Sequence, residues 1–214
     1  MSRSRRGLFV DLDGTLADTM NACRVAYEQF LSHFGATGSA TEFDSLNGPP
    51  LREVVSRLRA ARALRGSDDE LLSLYESQLR DAHLSALPAD GAGELLDTAR
   101  QYGYCVAIVT SAPRDFAATW LAHADLASMI EFVVSGDDVR NGKPDPEPYR
   151  RALAAARCIA AESLAVEDSV PGVTAALAAD LPTFMIGGAP TGGIRAHAGF
   201  RGGVASLRDV TRQL

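Results

Sequence analysis

The sequence predicts an α/β protein, a doubly wound parallel sheet that carries an all-helical insert near the start of the chain. From residue 104 to residue 186, apolar runs of strand length alternate with helical stretches, a pattern typical of a parallel sheet with helices on both faces. Another apolar run, residues 8–10, is separated from these by a long segment with helical periodicity only. With 214 residues, 46% of them hydrophobic, the chain can bury a sizeable core and an inserted smaller one.

The first part of the chain contains one predicted strand and then helices. Residues 8–10 form the strand, and hydrophobic residues at three- and four-residue intervals predict a helix after it: Ala22, Val25, Ala26, Phe30 and Leu31. Breaks at 35–39 and 47–50 precede a second helix over 51–64, for which Pro50 suits the first turn. Ser67 followed by Glu70 resembles an N-cap and opens a helix that extends to about residue 84.

Strands and helices alternate in the second part, after Pro88 and Gly91 end the helical block. Predicted strands cover residues 104–109, 132–134, 163–166 and 183–186, and predicted helices cover 115–123, 146–157 and 171–179.

Two carboxylates directly follow the first predicted strand. Asp11 and Asp13 stand one residue apart in a loop opened by Gly14, and side chains so close repel each other. A divalent cation would relieve that repulsion, and a carboxylate freed by it could attack an electrophile such as phosphorus. Taken alone, this segment is equally consistent with an aspartate-rich turn that has no catalytic role.

Three later segments carry the other groups that phosphoryl transfer requires. Thr110 and Ser111 end one apolar strand, Lys143 lies in a rigid Gly-Lys-Pro turn, and Glu167 and Asp168 end another strand. Ligands of open parallel sheets bind beyond the carboxyl ends of the strands. We therefore expect one crevice to collect all of these side chains.

These four segments resemble the motifs of the haloacid dehalogenase superfamily of aspartate-nucleophile phosphohydrolases. The matching residues, in order, are Asp11-x-Asp13-Gly-Thr, Thr110-Ser111, Lys143 and Glu167-Asp168. The resemblance covers nearly the whole chain. It implies a Rossmann-like core of residues 1–17 and 89–214, and a helical cap domain of residues 18–88 that closes over the active site.

The resemblance also implies roles for the acidic residues. Asp11 would be the nucleophile that forms an aspartyl-phosphate, and Asp13 would protonate the leaving alcohol and later deprotonate water. Asp11, Asp168 and the backbone carbonyl of Asp13 would hold Mg2+. Glu167 would assist at the metal directly or through water, with a structural carboxylate as the alternative.

Lys143, Thr110 and Ser111 would stabilise the phosphoryl oxygens through a positive charge and hydrogen bonds. Two of these residues have a simpler interpretation: Lys143 could be a surface lysine, and Thr110 could cap the helix that follows it. Which of the two hydroxyl residues contacts the phosphoryl group is left open by the sequence.

The predicted function is Mg2+-dependent hydrolysis of a small phosphomonoester, of the phosphoglycolate or sugar-phosphate kind. Asp13 argues against carbon–halogen cleavage, because dehalogenases lack that aspartate. A phosphomutase is the first alternative, although Cys23 lies where mutases of this superfamily carry a cap histidine. A signalling phosphoacceptor is the second, because response-regulator receivers also place acidic groups, a hydroxyl and a lysine on a parallel sheet.

Substrate selection is expected to depend on the cap. The segment that contains Asn47, Gly48 and Arg52 resembles the cap loop of family members. Arg52 could pair with a second anionic group of the substrate, and Asn47 could bond a hydroxyl. The alternative is that Arg52 belongs to a helix surface.

Composition excludes several classes of partner. The net charge is -6 and no basic stripe with interleaved aromatics occurs, so nucleic acid is not expected. No apolar run approaches the roughly 20 residues that span a bilayer. The three cysteines lack metal-ligand spacing. They are interpreted as small core residues of a protein that resides in a reducing cytoplasm. The expected partner is a small phosphorylated metabolite, bound by a monomer or homodimer.

Overall fold

The computed structural model describes residues 5–46, 48–188, 190 and 192–214. Within these residues, six parallel strands form one sheet in the order β3-β2-β1-β4-β5-β6. The strands are β1 (Gly7–Val10), β2 (Cys105–Val109), β3 (Phe132–Val134), β4 (Leu164–Glu167), β5 (Thr183–Ile186) and β6 (Phe200–Val204). The strand order reverses at β1, which lies between β2 and β4, and the ends of these three strands form the crevice where such sheets bind ligands.

Helices cover both faces of the sheet. They are α1 (Met20–His33), α2 (Ala40–Ser45), α3 (Leu51–Arg62), α4 (Asp68–Ser85), α5 (Ala92–Gln101), α6 (Arg114–His123), α7 (Glu147–Ala156), α8 (Val170–Ala178) and α9 (Leu207–Thr211). Side chains of a strand alternate between faces. Leu8 and Val10 accordingly pack on the side of α5, α6 and α9, whereas Phe9 packs on the side of α7 and α8.

Helices α1 to α4 follow β1 directly in the chain and have a hydrophobic cluster of their own, whereas α5 packs against the sheet. In that cluster the rings of Phe30 from α1 and Tyr75 from α4 stack with centroids 4.8 Å apart. Phe116 of α6 extends the same cluster towards the sheet. The predicted apolar face of α1 is wrong at Val25, which is 44% exposed, because the buried side of that helix includes Tyr27 instead.

Several elements were not predicted from the sequence, namely α2, α5, β6 and α9. Strand β6 reads Phe-Arg-Gly-Gly-Val, and glycine has low strand propensity. It forms because its backbone pairs with β5 at the edge of the sheet. None of the described helices combines the length and apolar composition needed to cross a membrane.

Candidate active site

A cavity of about 120 Å³ lies at the carboxyl ends of the central strands. Seven of the predicted site residues line it: Asp11, Asp13, Gly48, Thr110, Ser111, Lys143 and Asp168. They meet because β1, β2 and β4 are neighbours and run in the same direction. The expected single crevice is therefore present in the structure.

Asp11 directly follows β1 and is only 6% exposed. Its backbone N–H donates to the carbonyl oxygen of Val166 at 3.0 Å, which continues the pairing with β4. The loop after it approaches Asp168 closely at Gly14, where φ is +80° and a Cβ atom would lie 2.2 Å from Asp168 Oδ2. A side chain at this position would be strained and would displace that carboxylate.

Lys143 connects two of the carboxylates. Its Nζ donates to Asp11 Oδ1 at 2.6 Å and to the carbonyl oxygen of Val109 at 2.9 Å, and it lies 2.5 Å from Glu167 Oε1. Burial lowers the pKa of Lys143, but the two carboxylates more than compensate, so that its pKa lies above the ordinary value. At 2% exposure, Lys143 is a charged group of the interior and not a surface lysine.

Glu167 is the last residue of β4 and is fully buried. Its Oε1 accepts from the hydroxyl of Tyr149 at 2.6 Å, and its Oε2 accepts from the hydroxyl of Ser169 at 3.3 Å. Burial, followed by the charge of Glu167, raises the pKa of Tyr149. These contacts orient Glu167 towards Lys143.

Gly172 provides the space for Glu167, because a Cβ at that position would lie 1.9 Å from Glu167 Oε2. Sequence reasoning missed both Gly172 and Tyr149. The available signal was weak: Tyr149 lies in the first turn of the helix after the lysine turn, where an aromatic side chain is equally typical of a core.

Thr110 and Ser111 both line the cavity but use their hydroxyls differently. Thr110 Oγ1 accepts from the backbone N–H of Ala112 at 3.0 Å, so its own hydrogen can still be donated. The Ser111 hydroxyl donates to the carbonyl oxygen of Gly48. Helix α6 begins at Arg114 after Pro113, and the Thr110 hydroxyl bonds the turn before that helix.

The acidic groups leave a surplus of negative charge in the site. Carboxylate oxygens of Asp11, Glu167 and Asp168 lie within 4.8 Å of one another, and Lys143 is the one cationic residue among the described lining residues. Burial raises the pKa of Asp11 and the two other carboxylates raise it further, while Lys143 opposes them. Clustered oxygen ligands with unbalanced charge fit a hard divalent cation.

The cap residues predicted to contact substrate have different positions. Gly48 lines the cavity, and Asn47 lies outside the described residues. Arg52 does not line the cavity: it faces a neighbouring groove, pairs with Asp69 at 2.8 Å, and its side chain is 64% exposed. Cys23, which sequence reasoning assigned to the core, is partly buried and lines the cavity.

Residues 8–186 match a family model described as haloacid dehalogenase-like hydrolase. The chain belongs to this family. Curated relatives of this haloacid dehalogenase-like hydrolase include the pyrophosphatase PpaX of Bacillus velezensis, 33% identical over 78% of this chain and 76% of that protein. A plasmid-encoded phosphoglycolate phosphatase of Cupriavidus necator is 32% identical over 84% of this chain and 79% of the relative.

Among solved structures, a putative beta-phosphoglucomutase from Thermotoga maritima has a TM-score of 0.74 at 25% identity and covers 98% of this hydrolase, with 99% of its own chain matched. These similarities confirm the predicted α/β fold and the phosphoric monoester hydrolase class. They do not support the signalling phosphoacceptor, because the named relatives are enzymes of phosphorylated compounds.

Proposed function

We propose that this hydrolase is a Mg2+-dependent phosphatase that cleaves a small phosphomonoester through an aspartyl-phosphate. The observation that carries the proposal is the buried Asp11 carboxylate, held at 2.6 Å by the Lys143 ammonium where both line the cavity. A carboxylate fixed in this way is a preorganised nucleophile, and the lysine offers charge to the oxygens of the group under attack.

In the first step, a carboxylate oxygen of Asp11 bonds to phosphorus while the bond from phosphorus to the alcohol oxygen breaks. Asp13, partly buried and in the same cavity, gives its proton to the departing alcohol oxygen. The Lys143 ammonium and the Thr110 hydroxyl stabilise the phosphoryl oxygens during the transfer.

In the second step, Asp13 accepts a proton from a water molecule as that water bonds to phosphorus. The bond between phosphorus and the Asp11 oxygen breaks, which releases inorganic phosphate and regenerates the carboxylate. Asp13 alternates between acid and base, and the enzyme returns to its starting protonation state.

Asp11, Asp168 and the backbone carbonyl of Asp13 are the groups we propose to hold Mg2+, with Glu167 acting on the site through Lys143. When bound, Mg2+ supplies positive charge and orientation to the phosphoryl oxygens. The family generally uses a divalent metal, and the acidic cluster supports one at this position.

We also propose that residues 18–88 form a cap domain on a core of residues 1–17 and 89–214. The two connections lie side by side: Ala17 bridges Pro88, and the Asp18 N–H donates to the Leu87 carbonyl oxygen at 2.9 Å. At the cavity, the bond from Ser111 to Gly48 links the two parts. Paired connections of this kind suit a hinge, because they concentrate the backbone change in a few residues.

A phosphomutase is the alternative, favoured by the similarity to the putative beta-phosphoglucomutase. Such an enzyme would have to retain the phosphoryl group and return it to the bound sugar. Incubation with a hexose 1-phosphate and the matching bisphosphate separates the two: isomerised sugar phosphate without free phosphate would favour the mutase.

The test of the proposal is phosphate release from p-nitrophenyl phosphate and a panel of small phosphomonoesters, in Mg2+ and in EDTA. We expect release that requires the metal, and an acid-quenched phosphoryl adduct on Asp11 by mass spectrometry. Asp11→Asn should abolish turnover, whereas Asp97→Asn, the same change at an exposed residue of α5, should not alter it. Unchanged rates in EDTA would contradict the metal, and wild-type rates in Asp11→Asn would contradict the nucleophile.

A further inference from the structure

The part of the cavity that faces the catalytic groups is apolar. Helices α1, α3 and α4, the segment between α2 and α3, and Phe116 of α6 form this wall. Its principal side chains are Met20, Leu46, Leu51, Val54, Leu79 and Phe116. The leaving alcohol must occupy this side, because the phosphoryl group is held on the other side by Asp11 and Lys143.

We infer that the alcohol half of the substrate is a compact, uncharged and largely apolar group, and that substrates with a second anionic group are poor. The inference rests on the proposed function and narrows its substrate class. Among the described residues, the wall offers no cation: Lys143 is already shared between two carboxylates, and Asp13 and Asp168 add negative charge nearby. A second anion would lose its hydration without gaining a counter-ion.

The arginines close to this wall do not supply the missing charge. Arg52 is engaged with Asp69 in the neighbouring groove. Arg80 lies over the Phe116 ring at 5.0 Å and pairs with Asp115, and it is not among the residues that line the cavity.

Tyr75 provides the wall with one polar group. It is 4% exposed, lines the cavity, and stacks its ring on Phe30. Burial raises the pKa of this phenol, so its hydroxyl keeps its proton and can donate a hydrogen bond. A substrate alcohol with one uncharged oxygen acceptor, such as an ether or a second hydroxyl, would accept that bond.

The size of the cavity limits the alcohol further. At about 120 Å³ it is smaller than the cavity of about 150 Å³ that admits benzene in an engineered protein. The phosphoryl group itself takes part of that space. A few carbon atoms beyond the ester oxygen fill the remainder, and a larger group such as a nitrophenyl ring has to extend into the neighbouring groove, which shares Leu51 and Ser111 with the cavity.

The test compares isobutyl phosphate with phosphoglycolate, which are similar in size but carry an isopropyl group and a carboxylate, respectively, on the same CH2–O–phosphate unit. We expect kcat/KM to be at least tenfold higher for isobutyl phosphate. Glycolate is the more acidic alcohol and the better leaving group, so a preference for isobutyl must come from the cavity. Equal or faster turnover of phosphoglycolate would overturn the inference while leaving the phosphatase intact. No turnover of either compound or of p-nitrophenyl phosphate would overturn the proposed function and the inference together.

Two matched variants test whether the apolar wall causes the preference for isobutyl phosphate over phosphoglycolate. Leu51→Arg places a cation at a partly exposed position of the cavity, and the ratio of isobutyl phosphate to phosphoglycolate turnover should fall at least fivefold. Leu72→Arg makes the same change on α4, in the neighbouring groove and outside the cavity, and should leave the ratio unchanged. Equal effects of the two variants would contradict a selective role of the wall. Thermal unfolding of both variants verifies that they are folded.

Discussion

Replacement of Lys143 by methionine tests the charge arrangement beneath the cavity. Methionine keeps a similar length but removes the ammonium that lies 2.6 Å from Asp11 and 2.5 Å from Glu167. Both carboxylates are buried, so the variant leaves two negative charges in the interior without their shared cation. We expect a large loss of stability together with the loss of activity.

The magnitude follows from the two contacts. At an effective dielectric constant of about 20, each contributes about 6 kcal/mol of attraction, most of which is offset by the cost of removing the charges from water. Breaking buried pairs by removal of one partner costs about 3–5 kcal/mol, and we expect Lys143→Met to lower the free energy of unfolding by that amount. Turnover should fall at least about 100-fold, because the positive charge next to the phosphoryl oxygens is lost.

Urea unfolding in EDTA measures the stability, and steady-state phosphate release measures the activity. Arg151→Met is the matched control, because Arg151 pairs with Glu147 at 3.0 Å but is 52% exposed. An exposed pair is worth less than about 1 kcal/mol. The reasoning is refuted if Lys143→Met loses no more stability than this control. If Glu167→Gln is added to Lys143→Met, part of the loss should be recovered, because one of the uncompensated carboxylates is then neutral.

Three further variants test neighbouring features. Tyr149→Phe removes the hydroxyl that donates to Glu167 at 2.6 Å and should cost about 1–3 kcal/mol of unfolding free energy with a lower kcat; wild-type values of both would rule out the positioning role. Gly172→Ala should lower the free energy of unfolding by about 1–3 kcal/mol, because its Cβ would lie 1.9 Å from a Glu167 oxygen. Its control is Gly93→Ala in α5, where a Cβ would have no atom within 4 Å, and this variant should be neutral or stabilising in the same urea assay. Hydrogen bonds from Arg62 of α3 hold the pKa of Glu42 below its ordinary value. The stabilisation from this pair is therefore present above the ordinary glutamate pKa of about 4.3 and is lost as the pH falls through the lower folded-state pKa. Glu42→Gln should therefore be less stable than the wild type by about 1 kcal/mol at neutral pH, and the difference should disappear in acid; a difference independent of pH would exclude this ion pair as its source.

Much of the site could be predicted because its chemistry is local in sequence. Asp11, Thr110 and Asp168 each follow a short buried strand, and the ends of parallel strands meet at one edge of a sheet. A strand is recognisable from its own apolar residues, so the positions of these groups follow from nearby sequence. Lys143 was predicted from its turn, although its full burial between two carboxylates was not.

Contacts between distant segments could not be predicted in this way. The hydrogen bond from Tyr149 to Glu167 depends on how α7 packs against β4, and the space for that carboxylate depends on Gly172 of α8. Arg52 suited an anion-binding role by its position in a loop motif, but the turn of α3 directs it to Asp69. Strand β6 has little strand propensity of its own and exists through pairing with β5.

The sequence by itself determined the α/β fold, the family and most of the polar residues that meet at the cavity, because each is encoded by a strand, a turn or a short motif. Only the tertiary structure decided which side chains form the apolar wall of the cavity. Met20, Leu51 and Leu79 come from three different helices, α1, α3 and α4. Each helix has an apolar side that packing alone assigns either to the interior or to the cavity, and the charge and size of the substrate depend on that assignment.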